Sequence, residues 1–421
     1  MIRAVKGTRD ILPPSSDLWI LLEDKARAVF RAFNYHEIRT PIFEETALFA
    51  RGVGEDTDIV SKEMYTFEDR DGASLTLRPE CTASVIRAFI EHRLDQQPGL
   101  VKVFYMGPMF RRERPQKGRY RQFYQIGAEA IGSESPALDA EVIELSAFIL
   151  AAAGLADFKL LLNSVGCREC RPAFIARLRE RLLEVAPHLC RDCQRRAETN
   201  PLRVLDCKVE ADQPLIGGLP SILENLCQAC AAHFAAVQKR LERAGIGFQI
   251  RPRLVRGLDY YTRTTFEITH GALGAQNSVL GGGRYDGLAE MLGSKVRAPG
   301  IGFSIGEDRL ALSLEETSCA AAPRLDVYIA PLGEAASLEA ADIARQLRKL
   351  GLSVEIGLDG KLKRSLEIAN RLDARFALIL GENELASGLC QLKDMLTGEQ
   401  QAIPRDELAN KLRLEQVEDA G

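Results

Sequence analysis

Residues 110–123, FRRERPQKGRYRQF, contain six basic side chains and a single acid, Glu113, in a chain whose formal net charge is only −4. Guanidinium groups bind phosphate oxygens through paired hydrogen bonds, so this density of arginine indicates a local anion site. The alternative is a solvated hairpin tip, which is what most charge runs form. The apolar runs on both sides predict two strands that anchor the base of the loop. The basic residues are Arg111, Arg112, Arg114, Lys117, Arg119 and Arg121.

An aromatic side chain and an acid in the same segment favour a nucleotide as the ligand. Phe123 can offer a ring face to a purine, and Glu113 can accept a hydrogen bond from an exocyclic amine. A groove for a nucleic-acid backbone is less well supported, because the net charge of −4 excludes a general basic coat.

Three other segments combine polar and aromatic residues with glycine or proline. GGGRYDG, residues 281–287, indicates either a tight turn or close approach of the backbone to a ligand, with Tyr285 at its edge; its spacing fits neither a P-loop nor a dinucleotide fingerprint. TLRPECTAS places Glu80 at a strand-to-helix turn, either as a helix cap or as an acceptor for a substrate ammonium group. RGLDYYTRTTFE alternates polar and aromatic residues on a predicted strand. The simpler interpretation is a strand with one face exposed to solvent. The residues concerned are Arg256, Asp259, Tyr260, Tyr261 and Arg263.

The five histidines of the chain lie outside these segments, which weakens any hydrolase with a Ser-His-Asp arrangement. Without a histidine base, the nucleophile must already be ionised. A carboxylate attacking a phosphoryl centre meets this requirement, because it needs only in-line placement and neutralised repulsion, which arginines supply.

The elements that position these residues predict a chain of two or more domains, since 421 residues exceed one ordinary core. We predict helices over residues 17–33, with Asp17 as N-cap, and 136–153, and a hairpin around the DRDG turn. The strand HEIRTPIFEE is interrupted by Pro41, so it should lie at a sheet edge or a subunit contact. GGGRYDGL should form a turn that opens a helix, and GIGFSIGEDRLALSL a strand, turn and helix.

The second half of the chain changes character twice. Residues 167–250 are mostly helical in pattern and carry three CxxC pairs. After an alanine-rich linker at 317–324, the strands LDVYIAPL, LSVEIG and FALILG alternate with helices at 334–350 and 361–372, which predicts a small α/β domain. We see no signal peptide and no membrane-length apolar segment, so we expect a cytoplasmic protein with no membrane partner.

Six ordered segments resemble the class II aminoacyl-tRNA synthetases, and within them the histidyl-tRNA synthetase family. KGTRD resembles the opening of that family, EIRTPIFEETALF its motif 1, GPMFRRERPQKGRYRQFYQIGAE its motif 2 and GIGFSIGEDRLAL its motif 3. RGLDYYTRTTFE and GGGRYDGL resemble the two histidine-specific signatures. The resemblance implies an α+β fold: a class II antiparallel sheet flanked by helices, a helical insertion domain and a C-terminal α/β anticodon-binding domain. The implied boundaries are 1–166 and 251–320 for the catalytic core, 167–250 for the insertion and 325–415 for the last domain.

The resemblance also implies the reaction and its ligands. Histidine and ATP would form histidyl-adenylate and pyrophosphate, with Mg²⁺ accompanying ATP, and the histidyl group would pass to tRNA(His). Members of the family are homodimers. Arg111 and Arg256 would be catalytic, with Arg256 neutralising charge between the substrate carboxylate and the α-phosphate. Gln116 would approach the tRNA acceptor end.

The remaining site residues also follow from the resemblance. ATP would be bound by Arg111 at the α-phosphate, Glu113 at the adenine amine, Phe123 on the ring, and Arg119 and Arg309 at the terminal phosphates. Histidine would be bound at its ammonium group and around its imidazole. The ammonium ligands would be Glu80, Thr82 and Gln125, and the imidazole would be surrounded by Glu129, Tyr261 and Tyr285.

The cysteines leave two interpretations open. A CxxC…CxxC pattern is typical of zinc, and the simplest four-ligand set is Cys167, Cys170, Cys190 and Cys193. Buried thiols in the insertion are the alternative, and we favour them, because members of the family can lack these cysteines. The further pair is Cys227 and Cys230, with Cys207 between.

Two rival functions remain. A catalytically inactive regulatory subunit of histidine biosynthesis could share the core, but such paralogues tend to lose the ATP-binding arginines, the RGLDYY signature and the anticodon domain, all of which are kept here. An inactive nucleic-acid-binding module fits poorly with the acidic net charge.

Overall fold

The computed structural model describes residues 2–55, 57–315, 325–358 and 360–419. The chain divides into two compact units, Met1–Ala320 and Ala321–Gly421. The linker predicted at 317–324 lies outside the described residues. No described helix is long and apolar enough to cross a membrane.

The first unit is built on an 8-stranded sheet in the order β1-β5-β6-β11-β10-β9-β7-β8. Its six central strands are antiparallel to their neighbours, whereas the two short end strands run parallel to theirs. The strands are β1 His36–Glu37, β5 Val101–Phe110, β6 Gln122–Ile131, β7 Lys159–Ser164, β8 Gln249–Ile250, β9 Thr262–Thr269, β10 Ser278–Arg284 and β11 Gly300–Gly306. A 3-stranded sheet lies beside it, made of β2 Phe43–Glu45, β4 Ser74–Leu77 and β3 Tyr65–Glu68.

The helices of this unit cover both faces of the large sheet. They are α1 Ser15–Ala32, α2 Thr46–Val53, α3 Thr82–Glu91, α4 Pro136–Ala153, α5 Arg171–Val185, α6 Arg191–Thr199, α7 Gln213–Gly217, α8 Gln228–Arg243, α9 Leu288–Met291 and α10 Glu307–Glu315. Residues of α1, α4, α8 and α10 share one hydrophobic core with one face of the sheet. Residues of α3 and α5 share a second core with the opposite face. The helix α8 therefore packs on the large sheet, although its residues fall in the region predicted as an insertion.

Strand alternation decides which residues reach which face. In β6, Ile126, Ala128 and Ala130 belong to the first core, so residues 123, 125, 127 and 129 point to the other side. The two faces of one strand thus separate the apolar residues that hold the sheet from the polar residues that can form a site.

The second unit has a 5-stranded sheet in the order β13-β12-β14-β15-β16. The first three strands are parallel, and β14, β15 and β16 are antiparallel. Its elements are β12 Val327–Pro331, α11 Glu334–Lys349, β13 Val354–Ile356, α12 Leu362–Arg371, β14 Phe376–Leu380, α13 Glu382–Ser387, β15 Leu389–Asp394, β16 Gln400–Pro404 and α14 Leu408–Asp419. The predicted α/β pattern is confirmed, and the antiparallel pair β15 and β16 extends it.

Most predicted elements of the first unit are also confirmed. The charged loop joins the paired strands β5 and β6, and α4 has the predicted bounds. The DRDG hairpin is β3 with β4. The Pro41 segment forms two short strands rather than one, and each lies at the end of its sheet, as a proline-interrupted strand should.

Three predictions were wrong in detail. Asp17 lies in the first turn of α1, and Pro14 precedes the helix as N-cap residue. The glycines 281–283 belong to the central strand β10, not to a turn. The segment from Arg256 to Tyr261 is a loop that precedes β9, not a strand. Its adjacent residues Tyr260 and Tyr261 are both buried, whereas a strand with one solvent-exposed face would bury only alternate residues.

Candidate active site

The second face of the large sheet carries a cleft with a volume of about 1600 Å³. Most of the candidate residues named from the sequence line it. Gln116 does not: it lies exposed at the loop tip, where its backbone pairs with Arg119. Glu129 also does not line the cleft, because it is buried beneath it. The lining candidates are Glu80, Thr82, Arg111, Glu113, Arg119, Phe123, Gln125, Arg256, Tyr261, Tyr285 and Arg309.

The carboxyl group of Glu129 is held by hydroxyl donors from other elements. Thr82 Oγ1 donates to its Oε1 at 2.7 Å, and Tyr285 Oη donates to its Oε2 at 2.6 Å. Burial above all, with a contribution from the nearby Glu80, raises the pKa of Glu129 from 4.5 to about 8, although the hydroxyl donors oppose the shift. Glu129 thus does not contact the cleft directly, but it accepts hydrogen bonds from Thr82 and Tyr285, which line the cleft.

Glu80 performs the capping role that the sequence offered as its alternative. Its two carboxylate oxygens accept from the backbone amides of Thr82 at 2.8 Å and Ala83 at 2.9 Å, at the start of α3. Burial raises the pKa of Glu80, and these amides lower it. A carboxylate has about four acceptor positions, so this cap leaves capacity for a ligand donor on the cleft side.

Gln125 offers an unused acceptor. Its Oε1 is buried and has no hydrogen-bond partner within the described part of the chain. Buried polar atoms without partners are rare in folded proteins, and a ligand donor is one way to satisfy such an atom. Gln125 follows Phe123 on the cleft face of β6, so the two side chains lie in one row.

The arginines of the cleft are held by two kinds of partner. Arg111 Nε donates to the carbonyl oxygen of Pro79 at 2.9 Å, and its guanidinium lies 5.2 Å from the centroid of the Phe123 ring. Arg309 donates to the carbonyl oxygens of Ser278 at 2.7 Å and Gly118 at 3.3 Å. Because carbonyls carry no net charge, they fix these guanidinium groups without neutralising them; the acid close to Arg111 is Glu113, whose Oε1 lies 3.9 Å from Arg111 Nη1.

Two further arginines of the cleft pair closely with acids. Arg119 Nη1 lies 2.8 Å from Glu113 Oε2. Arg256 pairs with Glu267, a cleft-lining acid on β9 that sequence reasoning did not single out. Burial lowers the pKa of Arg309, and the positive charge of Arg119 adds to that effect. The cleft therefore concentrates positive charge that an anionic ligand would relieve.

Glycines leave the space that the cleft side chains occupy. A Cβ on Gly281 would lie 1.9 Å from Arg256 Nη2, and a Cβ on Gly302 would lie 1.7 Å from Glu129 Oε2. The glycines of β10 thus admit protein side chains; Gly281 also lines the cleft, so close approach of this backbone to a ligand stays a prediction. Side chains are admitted in the same way at Gly127, Gly283 and Gly300, where a Cβ would meet the rings of Tyr105, Tyr261 and Tyr285.

The start of the chain supports the basic loop, which sequence reasoning missed apart from the KGTRD resemblance. The backbone N–H of Arg121 donates to the carbonyl of Gly7 at 2.7 Å. Arg9 donates to Asp308 Oδ1 at 2.8 Å, and the other oxygen of Asp308 accepts from the backbone of Tyr124 at 2.9 Å. This network ties the basic loop to the residue before Arg309.

The cysteines are grouped differently from the set taken from the sequence. Cys167 and Cys170 lie with Cys227 and Cys230, and a second group contains Cys190, Cys193, Cys207 and Asp212. The four-ligand set Cys167, Cys170, Cys190 and Cys193 is therefore not brought together, because the fold places the first CxxC pair next to the start of α8 rather than next to α6.

Comparisons with known proteins agree with one another. A family model described as "Histidyl-tRNA synthetase" matches residues 7–170 and 210–310, and one described as "Anticodon binding domain" matches residues 326–415. The chain is 68% identical over 412 residues to a protein of Solibacter usitatus named "Histidine--tRNA ligase", covering 98% of this chain and 99% of that one. It is 57% identical over 425 residues to the protein of that name from Koribacter versatilis, covering 98% and 96%.

A solved structure of similar length gives the same picture. The crystal structure of apo S. aureus histidyl-tRNA synthetase superimposes with a TM-score of 0.82 at 38% identity, covering 98% of this chain and 100% of that chain.

The raised pKa of Glu129 predicts a pH-dependent stability. Between pH 4.5 and about 8 the folded chain holds a proton on Glu129 that the unfolded chain has lost, so stability should fall as pH rises through this window and then level off. Relative to Glu129→Gln, the wild type should lose up to about 1.4 kcal/mol per pH unit. Urea unfolding at several pH values, followed by the fluorescence of the single tryptophan, buried Trp19, measures this difference.

Glu45→Gln, a matched change at an exposed site on β2, controls for the substitution itself. A wild-type minus Glu129→Gln difference that stays constant from pH 5 to 9 would contradict the shift.

Proposed function

Because the chain belongs to the histidyl-tRNA synthetase family and is a histidine–tRNA ligase, we propose that the cleft activates L-histidine with ATP and passes it to tRNA(His). One observation carries this assignment of the site: eight arginines and the Glu80 carboxyl line a single cleft, with a buried Glu129 beneath it. Positive charge over a selective polar pocket suits the meeting of a carboxylate with a triphosphate.

The nucleotide would occupy the basic side of the cleft. Its adenine would stack on Phe123, and its α-phosphate would meet Arg111. Glu113 now pairs with Arg119. Binding of the adenine amine to Glu113 and of the terminal phosphates to Arg119 would replace that one pair by two ligand contacts. Arg309, held by backbone carbonyls, would bind the terminal phosphates as well.

The residues also fit the Mg²⁺ that ATP carries. Magnesium in nucleotide sites is bound by one or two carboxylates together with phosphate oxygens. Glu267 lines the cleft, pairs with Arg256 and acts electrostatically on Arg309, so it would hold the ion beside the phosphates. When bound, the ion would neutralise part of the phosphate charge.

Histidine would bind between Glu80 and the tyrosines. Its ammonium group would donate to Glu80, Thr82 and the unpartnered Oε1 of Gln125. Its imidazole would lie beside Tyr261 and Tyr285, with Glu129 setting the hydrogen bonding of Thr82 and Tyr285 behind them. A site that pairs with both ring nitrogens leaves buried polar groups unsatisfied when an apolar side chain binds, which is a strong source of selectivity.

The chemistry has two steps. A carboxylate oxygen of histidine attacks the α-phosphorus, and the bond from that phosphorus to the bridging oxygen breaks, releasing pyrophosphate. The terminal ribose hydroxyl of the tRNA then attacks the carbonyl carbon of histidyl-adenylate, and AMP leaves. We propose that Arg256 lies between the substrate carboxylate and the α-phosphate, where it stabilises the charge that develops in the first step.

The proposed function also assigns a role to each domain of the chain. We propose residues 1–166 and 251–320 as the catalytic core, 167–250 as the insertion and 325–415 as the anticodon-binding domain. We expect the enzyme to work in the cytoplasm, where its tRNA serves translation. The alternative of an inactive regulatory subunit finds no support, since the close relatives are named as ligases.

Removal of the Arg256 guanidinium should abolish adenylate formation. We expect Arg256→Ala to lower kcat/KM in histidine-dependent ATP–pyrophosphate exchange by roughly 10²–10³-fold or more, because a preorganised donor to the developing charge is lost. Arg253→Ala is the matched control, since Arg253 also lines the cleft but donates to the Gly217 carbonyl. Near-normal exchange by a folded Arg256→Ala protein would refute the role.

Gln116 should separate the two steps. Because it is exposed at the tip of the basic loop and does not line the cleft, Gln116→Ala should leave ATP–pyrophosphate exchange within about twofold of the wild type and lower tRNA charging by about tenfold, the effect of losing one contact of about 1.4 kcal/mol. Gln97→Ala, at another exposed glutamine, controls for surface effects. Equal losses in both assays would argue against a contact with the acceptor end.

We also propose that the enzyme is a homodimer through the 3-stranded sheet. Phe43 and Phe67 are 53% and 45% exposed, and their ring centroids lie 6.4 Å apart on that sheet. An exposed aromatic pair beside the Pro41 segment is typical of a surface that is covered by a partner.

Substitution of this pair should therefore weaken the dimer. We expect the double variant Phe43→Ser, Phe67→Ser to sediment as a monomer at micromolar concentration, where the wild type sediments as a dimer. Phe148→Ser, at a phenylalanine on α4 that is 52% exposed, should remain dimeric. A double variant that sediments like the wild type would place the interface elsewhere.

A further inference from the structure

Four cysteine sulfurs meet at the place where the helical segment leaves and rejoins the catalytic sheet. Cys167 Sγ lies 3.8 Å from Cys170 Sγ and 3.8 Å from Cys227 Sγ, and Cys170 Sγ lies 3.9 Å from Cys230 Sγ. All four sulfurs lie within 4.8 Å of one another. Four thiolates at about 2.3 Å from a tetrahedral zinc ion are about 3.8 Å apart, so these distances are those of a zinc site.

The sulfurs are fixed by the surrounding backbone. The N–H of Cys167 donates to Cys170 Sγ at 3.2 Å, and the N–H of Glu169 donates to Cys167 Sγ at 3.4 Å. Amide donors of this kind orient metal-bound ligands and stabilise their negative charge. Gly166 has φ +67°, and a Cβ there would lie 2.8 Å from Cys170 Sγ, so the chain is shaped around this sulfur.

Other uses of four clustered thiols fit the geometry less well. A disulfide requires sulfurs at about 2.05 Å and would join only two of the four. In an iron–sulfur cluster each cysteine is bound to the cluster rather than to one shared ion, which holds the sulfurs further apart. A tetrahedral set of four sulfurs around a single centre is typical of zinc.

We propose that Cys167, Cys170, Cys227 and Cys230 bind one structural zinc ion, and that Cys190, Cys193, Cys207 and Asp212 bind a second. The first ion joins the segment before α5 to the start of α8, 57 residues later in the chain, as the numbers 170 and 227 give. With four protein ligands and no open position, the first centre is structural rather than catalytic.

The second group has its own observations. Cys190 Sγ lies 3.9 Å from Cys207 Sγ, which lies 3.2 Å from Asp212 Oδ2, and the four donor atoms are within 4.8 Å of one another. The N–H of Cys190 donates to both oxygens of Asp212, at 3.2 and 3.1 Å, and the N–H of Val209 donates to Cys207 Sγ at 3.4 Å. The carboxylate and the thiol are thus oriented before any ion binds.

The second ion would stabilise a segment that supports the active site. Between Cys193 and Cys207, Asn200 donates to Asp259 at 3.1 Å and Arg203 donates to the carbonyl oxygen of Arg256 at 3.1 Å. The centre closes this segment at both ends, so it would hold the loop that carries Arg256.

Metal content tests both centres on the untagged full-length protein. We expect elemental analysis to give two zinc ions per chain, falling to one in Cys227→Ser and to one in Cys207→Ser. Cys390→Ser, at a buried cysteine of the second unit, should keep both. Less than half an ion per chain after incubation with zinc chloride, iron in place of zinc, or two ions retained in either cluster variant would overturn the corresponding site.

Cobalt substitution tests the ligand sets without relying on the variants to fold. Wild-type protein produced in cobalt-supplemented medium should show the strong visible bands of tetrahedral cobalt and a thiolate-to-cobalt band at shorter wavelength that corresponds to seven thiolates over two ions. Octahedral cobalt spectra, or a mass spectrum that shows these cysteines as disulfides, would overturn the proposal.

Discussion

The catalytic unit depends on a carboxyl group that is excluded from water. A buried acid is costly unless donors surround it, and the two closest donors to Glu129 come from separate parts of the chain, Thr82 at the start of α3 and Tyr285 after β10. Its own strand, β6, and the glycine at position 302 on the neighbouring strand β11 complete the enclosure. Any shift of these four elements would leave the acid unsatisfied. The hydrogen-bond requirement of this buried acid therefore fixes the wall of the cleft formed by Thr82 and Tyr285.

The arginines of the cleft are subject to a second constraint: their guanidinium groups must be held in position without losing their positive charge to an acidic partner. Pairing every guanidinium with an acid would have produced a neutral cleft. Instead Arg111 and Arg309 are held mainly by backbone carbonyls, with Glu113 3.9 Å from Arg111, whereas Arg119 and Arg256 pair closely with acids. The guanidinium groups of Arg111 and Arg309 are oriented by uncharged carbonyl oxygens, which do not cancel their positive charge. Electrostatic catalysis requires charges that are oriented in this way.

Much of this could be predicted from the sequence, for identifiable reasons. The strands β5 and β6, the hairpin and the C-terminal α/β pattern follow from local alternation and turn residues. The position of Phe123 and Gln125 in one row follows from the period of two in a strand. The role of Glu80 as a helix cap could be stated only as an alternative, because spacing does not show whether a carboxylate faces amides or solvent.

The partners of Arg256 and the grouping of the cysteines depend on contacts between distant segments, which no local pattern encodes. The glycines of β10 were wrongly predicted to form a turn for the same reason. They make room for the side chains of Arg256 and Tyr261, which come from another segment of the chain.

The network around Arg9 has a consequence for how the enzyme is made. Arg9 and its partner Asp308 are 299 positions apart in the chain, so their contact forms only after Asp308 has been synthesised. The support that Asp308 gives to the basic loop, through Arg9 and the backbone of Tyr124, is therefore among the last contacts of the first unit to form. A chain that ends before Asp308 would therefore have a basic loop without the contacts that Asp308 makes to Arg9 and Tyr124.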